Sequence, residues 1–282
     1  MRLISMMIFP TCGGVCAVGW YGFNSLQPKN LREYLEWQGF TLASVENAWK
    51  SIIKEHGELA KSIGVNSESD LEKLKTWCVT HLPLSDFSSY IDKASKLCVD
   101  NVGTIEAKLV RDGIGLTQFF QDSSDDDKYK TSYAFRKHNL DFLSLISHTP
   151  EKGEKFEPAI SKYRTWCNST FKAKPKPDLL KNFQMFCKPK NFTTIRAYLN
   201  GKEFLTESKY DSELDVRYRK ISDLASYKYD ISEFGKEALK EWCEDNLNKS
   251  FHDSLSVLDE ILPKVIFRCV KDPNSERNQV SM

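Results

Sequence analysis

The chain has 282 residues, with 40 Lys and Arg against 39 Asp and Glu for a net charge of +1, and is 40% hydrophobic and 12% aromatic. That length and composition describe a folded protein of one or two conventional domains, or of three small ones that bury their faces on each other, and exclude a disordered chain. The near balance of charge, without a dense basic stripe, removes the electrostatic case for nucleic acid as a partner.

Residues 3–23 carry no charge. Such a run spans about 30 Å as a helix, the thickness of a bilayer's hydrocarbon core, so residues 1–26 are predicted to hold a single-pass transmembrane anchor. Trp20 and Tyr21 suit the interfacial aromatic belt and Arg2 sits just before the run. Pro10 and Gly13-Gly14 weaken a helix but are tolerated in membrane spans. The rival reading is a cleaved signal peptide with Ala17-Val18-Gly19 at the cleavage site. A lipoprotein is a third choice, because neither Thr11-Cys12 nor Val15-Cys16 puts a small residue before the cysteine; Cys12 and Cys16 read as small packing residues on one helix face. Arg2 on one side and Lys29 and Arg32 on the other leave the positive-inside count almost level.

Leu31, Tyr34, Leu35 and Gln38 outline a short helix that Gly39 can end, and Val45, Ala48, Trp49, Ile52 and Ile53 outline a second ending near Gly57. Ser69 with Glu72 forms a capping box for a third, whose inward face is Leu71, Leu74, Cys78 and either Trp77 or Leu82, and which Pro83 stops. Phe87, Tyr90, Ile91, Ala94 and Leu97 carry a fourth to Cys98. The order then repeats. Ile105 to Leu109 is a first helix, Tyr129, Tyr133 and Phe135 belong to a second, and Ile160, Tyr163, Trp166 and Cys167 make a third. Lys174-Pro175-Lys176-Pro177 breaks the chain before Leu179, Leu180, Phe183 and Phe186 lead to Cys187. The acidic run Asp122-Ser123-Ser124-Asp125-Asp126-Asp127 lacks the glycine and glutamate of a calcium loop and reads as a solvated loop or helix start. A last set starts at Thr193 or Thr194, continues through Val216, Tyr218, Ile221, Phe234, Leu239, Trp242 and Leu247, and closes with Leu255, Leu258, Leu262, Val265, Ile266 and Cys269, with a kink predicted at Pro263.

The organising feature is a repeated pentapeptide: Leu74-Lys75-Thr76-Trp77-Cys78, Tyr163-Arg164-Thr165-Trp166-Cys167 and Leu239-Lys240-Glu241-Trp242-Cys243. Half of the 6 Trp and three of the 8 Cys lie in these Trp-Cys pairs, which makes chance a poor explanation. Each pair is followed by a second cysteine at Cys98, Cys187 or Cys269, and preceded by an element around Asn30-Leu31, Thr104-Ile105 or Thr194-Ile195. The period runs between about 74 and 90 residues, longer than the common solenoid repeats. The predicted fold is therefore all-α: an N-terminal transmembrane helix in residues 1–26, then three tandem, related small helical units at 27–103, 104–192 and 193–270, and a polar tail at 271–282.

The paired cysteines are candidate disulfides, Cys78 with Cys98, Cys167 with Cys187 and Cys243 with Cys269, and Trp77, Trp166 and Trp242 define the core of the repeat. Cys167 and Cys187 lie ten residues either side of Pro177 and can face each other across a hairpin. With a loop centred near Leu84 and Ser85, Cys78 and Cys98 are offset by about seven residues, or ~10 Å, too far for a bond, so the loop is longer or the thiols stay free. Buried thiols acting as small core residues are the alternative to the disulfides.

No chemistry-bearing motif emerges. Gly201-Lys202 lacks the upstream glycine of a phosphate loop, Gly113-Ile114-Gly115 reads as a turn, and neither a His-Glu-x-x-His nor a Gly-x-Ser-x-Gly occurs. Cys78 and His81 share a helix face, but the cysteine belongs to a repeated structural pattern and His81 has no counterpart in the other copies. His56, His81, His138, His148 and His252 show no metal-ligand spacing. No catalytic residue, cofactor, metal or small-molecule substrate is expected.

In its opening apolar segment, its Thr-Ile-x-x-x-Leu elements, Gly39-Phe40-Thr41-Leu42, and a Leu-Lys-x-Trp-Cys helix running into Asn246-Leu247-Asn248-Lys249-Ser250-Phe251, the chain resembles paralogous protein families of haemotropic mycoplasmas. The resemblance implies a surface-displayed, variable antigen of uncharacterised activity and brings no catalytic residues to carry over. This copy departs from it in its second unit, at Gly113-Ile114-Gly115-Leu116. The expected function is that of a non-enzymatic, single-pass surface protein of the cell membrane, its helical ectodomain extracellular and engaged in contact with a host or other extracellular protein, or in antigenic display. Exposed loops at residues 121–129 and 172–177 are where a partner would bind. The alternative is an intracellular, membrane-tethered helical scaffold with free thiols; an enzyme would need a polar cleft around His81, His138 or His148.

Overall fold

The structure, a computed structural model, describes residues 27–120, 125–151 and 153–272. Its regular elements are fifteen α-helices, and among the described residues the extended chain pairs only at three isolated bridges, so the protein is all-helical. The predicted span at 3–23 lies outside the described residues. Among those described, no helix is long and apolar enough to cross a membrane. The chain divides into two compact units between Ile114 and Gly115.

The first unit holds α1 (Leu31–Trp37), α2 (Glu46–Glu55), α3 (Gly57–Lys61), α4 (Leu71–His81), α5 (Ile91–Leu97) and α6 (Ile105–Arg111). Asn30 starts α1: its side chain accepts the Glu33 amide at 2.9 Å, while the Glu33 carboxylate reaches back to the Lys29 amide at 2.8 Å, satisfying amides that a helix start leaves free. Gly39 ends it at φ 85, where a side chain would be strained. Leu31, Leu35, Ile52, Leu74, Cys78, Leu97 and Cys98 meet in one buried cluster.

Of three local expectations, one is corrected here and two are sharpened. The second helix ends near Gly57 as expected, with Glu55 its last residue and the break at His56, and Gly57 opens α3. The Ser69–Glu72 capping box does not form, because Glu68–Asp70 is a 3-10 turn and the Asp70 carboxylate accepts the Asn66 amide at 2.9 Å. The Ser69 hydroxyl pairs instead with that of Ser67. Between Leu82 and Trp77, it is Leu82 that completes the buried face of α4, Trp77 staying half-buried.

The second unit holds α7 (Asp126–Ala134), α8 (Leu140–Leu145), α9 (Phe156–Phe171), α10 (Pro177–Phe186), α11 (Ile195–Tyr198), α12 (Asp211–Ile221), α13 (Ala225–Asp230), α14 (Lys236–Leu247) and α15 (Leu262–Cys269). Asp126 and Asp127 lie in the first turn of α7, where the helix dipole favours acid. Pro177 occupies the first turn of α10, where its missing N–H costs nothing. The short helices α8 and α13 were not apparent from periodicity, each being too brief to show a period. Phe234 stays outside α14, which begins after Gly235 at φ 109, and is 90% exposed. The expected kink at Pro263 is a π-helical stretch, Val257–Ile261, running into α15. A π turn widens the helix just where the proline ring would meet the carbonyl four residues back.

Candidate functional site

All three cysteine pairs are closed as disulfides: Cys78–Cys98, Cys167–Cys187 and Cys243–Cys269, with Cα atoms 5.6, 5.7 and 5.6 Å apart. All six residues are buried. The first pair closes because the connection between α4 and α5 is longer than a hairpin centred at Leu84 allows, running over residues 82–90 through a 3-10 turn at Ser88–Tyr90. In each pair the first cysteine lies within a long helix and the second at or just after the end of a following one.

The carbonyl of the second cysteine is used the same way three times. It accepts the amide of Ala43 at 2.9 Å, of Phe120 at 3.1 Å and of Leu205 at 2.8 Å. Ala43 and Leu205 each follow a positive-φ glycine, Gly39 or Gly201, by four residues, and Phe120 follows Gly113 by seven. The three added residues form the 3-10 turn Leu116–Gln118, which accounts for the departure at Gly113-Ile114-Gly115-Leu116. At two of the three places the stitch extends to an antiparallel bridge, Leu42 with Val99 and Phe204 with Val270.

Trp77, Trp166 and Trp242 are half-buried, at the rim of the core and not within it. The adjacent cysteine takes the inward position of the helix, which turns the indole aside. Each ring then finds a different neighbour. Trp77 stacks on His81 at 4.3 Å, and His81 Nδ1–H donates to the Trp77 carbonyl. Trp166 meets the edge of Phe186 at 6.5 Å. Trp242 carries the Arg268 guanidinium 4.6 Å over its face, and the same buried cation pairs with Asp230 at 2.8 Å and donates to the Ser226 carbonyl at 3.0 Å. Phe186 and Arg268 immediately precede Cys187 and Cys269, as the tryptophans precede their own cysteines, so each bond brings the two preceding residues together. That contact was missed from sequence, although it was readable once the cysteines were paired.

The histidines are dispersed. His148 Nε2 lies 2.9 Å from Glu154, whose other oxygen accepts the Tyr133 hydroxyl at 2.7 Å, and all three are largely enclosed. Tyr133 is held neutral well above the usual phenol range, chiefly by burial and then by that carboxylate. Burial likewise raises Tyr129, to about 12, and lowers His56. His138 is exposed beside Asp259, and His252 lies 3.8 Å from both Asp127 and Asp253. His81 borders a groove of about 460 Å³ with Ile63, Thr76 and Trp77, and His56 borders another of about 450 Å³ with Lys54, Glu55 and Lys96. In the first groove the Thr76 and Thr80 hydroxyls donate to the Glu72 and Thr76 carbonyls at 2.8 Å each, and His81 Nδ1–H to that of Trp77 at 2.7 Å. Among the described residues no group of three His, Cys, Asp or Glu is placed to hold a metal ion.

Compared with protein-family models, with curated proteins and with solved structures, the chain matches none.

Proposed function

We propose that the chain is a membrane-anchored, non-enzymatic surface protein whose ectodomain consists of three related helical units and acts by presenting surface to an extracellular partner. The observation that carries this reading is the closure of the three buried disulfides at corresponding places. Disulfides persist in oxidising, extracytoplasmic surroundings and are rare in a reducing cytosol. The uncharged run at 3–23 supplies the anchor, and the resemblance to haemotropic mycoplasma antigens points the same way. Partner contact falls on exposed loops such as residues 172–177, where Lys172, Lys174 and Lys176 stand out from the fold.

The test is alkylation of intact cells followed by non-reducing mass analysis, with protease accessibility measured on the same sample. Three linked pairs and a shaved ectodomain are expected. Six freely alkylated thiols on a protease-resistant chain would move the protein to the cytosolic side as an internal scaffold.

A further inference from the structure

The first unit receives the chain from the uncharged run at one defined place. The amides of Leu31 and Arg32 donate to the carbonyls of Leu84 and Leu82 at 3.1 and 2.9 Å, which stitches the start of α1 to the loop after α4. Beside that stitch α1 leaves its largest apolar side chain uncovered: Trp37 is 67% exposed. Its ring lies 6.4 Å from that of Tyr34, which lies 5.4 Å from that of Phe87 in the stitched loop, and Tyr34 and Phe87 are half-buried. The three rings form one aromatic strip. Its surroundings are electrically neutral, because residues 29–37 carry two basic and two acidic side chains. Glu33 accepts the Lys29 amide at 2.8 Å and the Asn30 side-chain amide at 3.1 Å, and Glu36 pairs with Arg32 at 3.9 Å. The strip thus recruits neither anionic lipid nor a charged protein by its field.

Reach decides what covers it. The uncharged run ends at Phe23, so residues 24–30 join it to Leu31. Fully extended, that connection spans at most about 28 Å, and Trp37 lies about 9 Å along the helix from Leu31. A bilayer holding the run is therefore beside α1 at all times, and so short a tether gives it an effective concentration on the order of millimolar. A protein partner arriving from solution meets a harder requirement. A stable interface covers roughly 800 Å² on each side, and one exposed Trp with two half-buried rings offers less. Tryptophan also suits the headgroup level, where its ring meets apolar chains and its indole N–H stays hydrated. We propose that α1 lies against the surface of the bilayer that anchors the chain, with Trp37 seated at headgroup level. The inference rests on the anchor proposed above. Its consequence is a fixed stance for the first unit, in which α1 faces lipid and is withheld from partners.

The experiment reconstitutes the full chain in phosphatidylcholine vesicles whose lipids are brominated just below the headgroup, and reads tryptophan fluorescence. Bromine quenches only an indole that touches it. The difference between the native chain and Trp37→Phe gives the emission of Trp37, and that between the native chain and Trp20→Phe gives the emission of Trp20, which reads the anchor. Trp37→Phe changes an exposed position, and far-UV circular dichroism checks that the fold is kept. Both emissions should lose most of their intensity on going from plain to brominated lipid. Trp37 should stay quenched at high salt, because salt screens a charge contact and not a ring contact. A quenched Trp20 with an unquenched Trp37 would leave the anchor standing and overturn the contact of α1 with lipid. Release of Trp37 at high salt would overturn it too. So would a Trp37 shielded from aqueous acrylamide yet untouched by bromine, which would place protein against it. If neither indole is quenched, the anchor fails and this inference fails with it.

Discussion

Arg268 is nearly fully enclosed, with the Trp242 ring on one side, the Tyr227 ring 5.6 Å away and Asp230 as its counter-ion. Lys264 shares the same carboxylate at 2.8 Å. Removing one partner of a buried pair leaves the other charge uncompensated, so Asp230→Ala should cost about 3–5 kcal/mol in urea unfolding. The double change Asp230→Ala with Arg268→Met should cost clearly less; equal losses would show that the pair matters only by volume. Tyr129 gives a pH-dependent counterpart. Its phenol rises from the usual 10.0 to about 12, mainly through burial, and its ring stacks on Phe120 at 3.7 Å. A raised phenol favours the neutral form in the folded state, so this contribution is complete below pH 10 and is lost as pH climbs toward 12. Two pH units at about 1.4 kcal/mol each set an upper size of roughly 3 kcal/mol. Tyr129→Phe should flatten part of the alkaline fall in stability measured between pH 9 and 12. Tyr133 and Tyr163, raised in the same direction, carry the remainder, and an unchanged slope in Tyr129→Phe would refute the assignment.

Individual helices here are short, many of five to twelve residues, and isolated helices of that length are marginal in water. Their ends therefore matter. Gly201 closes α11 at φ 86 with no atom within 4 Å of where a Cβ would stand, so Gly201→Ala has room but the wrong backbone, and should cost about 1 kcal/mol in thermal or urea unfolding. A neutral result would mean that the turn relaxes freely. The Cys167–Cys187 bond closes a 20-residue span. Its replacement by two serines should cost on the order of 3 kcal/mol on the chain-entropy model. Long elements with a clear period, such as α9 and α14, were legible in the sequence because Ile160, Tyr163 and Cys167, or Leu239, Cys243 and Leu247, recur at helical spacing on buried faces. The short α8 and α13 were not, since six residues hold less than two turns. The capping box failed for a different reason: Asp70 accepts a nearby backbone amide and a 3-10 turn takes up the entry that Ser69 would have capped. The Trp-Cys pattern was legible as a repeat but not as geometry, because sequence spacing says that Trp and Cys are adjacent without saying which of them turns inward.

For the whole molecule, each disulfide draws on the same small reserve. A folded domain is stable by only about 5–15 kcal/mol, so full reduction of all three should leave the chain unfolded at 37 °C. Far-UV circular dichroism with and without reductant checks this; retention of the helical signal after complete reduction would show that the apolar clusters suffice alone. What the sequence could not show is a surface relation. Val216 reads as one apolar position among many, and only the structure leaves it 52% exposed on α12, beside Arg217 and Lys220 in one groove. The stitches between Thr41 and Asp100, and between Glu203 and Lys271, carry a final consequence. In both places the chain enters a folded segment and leaves it from neighbouring points, as if through a single doorway. A stretch whose two ends lie together can be duplicated, deleted or exchanged in a gene with little displacement of what lies on either side. The fold thus admits the exchange of either segment as a unit, with its bonded cysteine pair and its doorway kept in place.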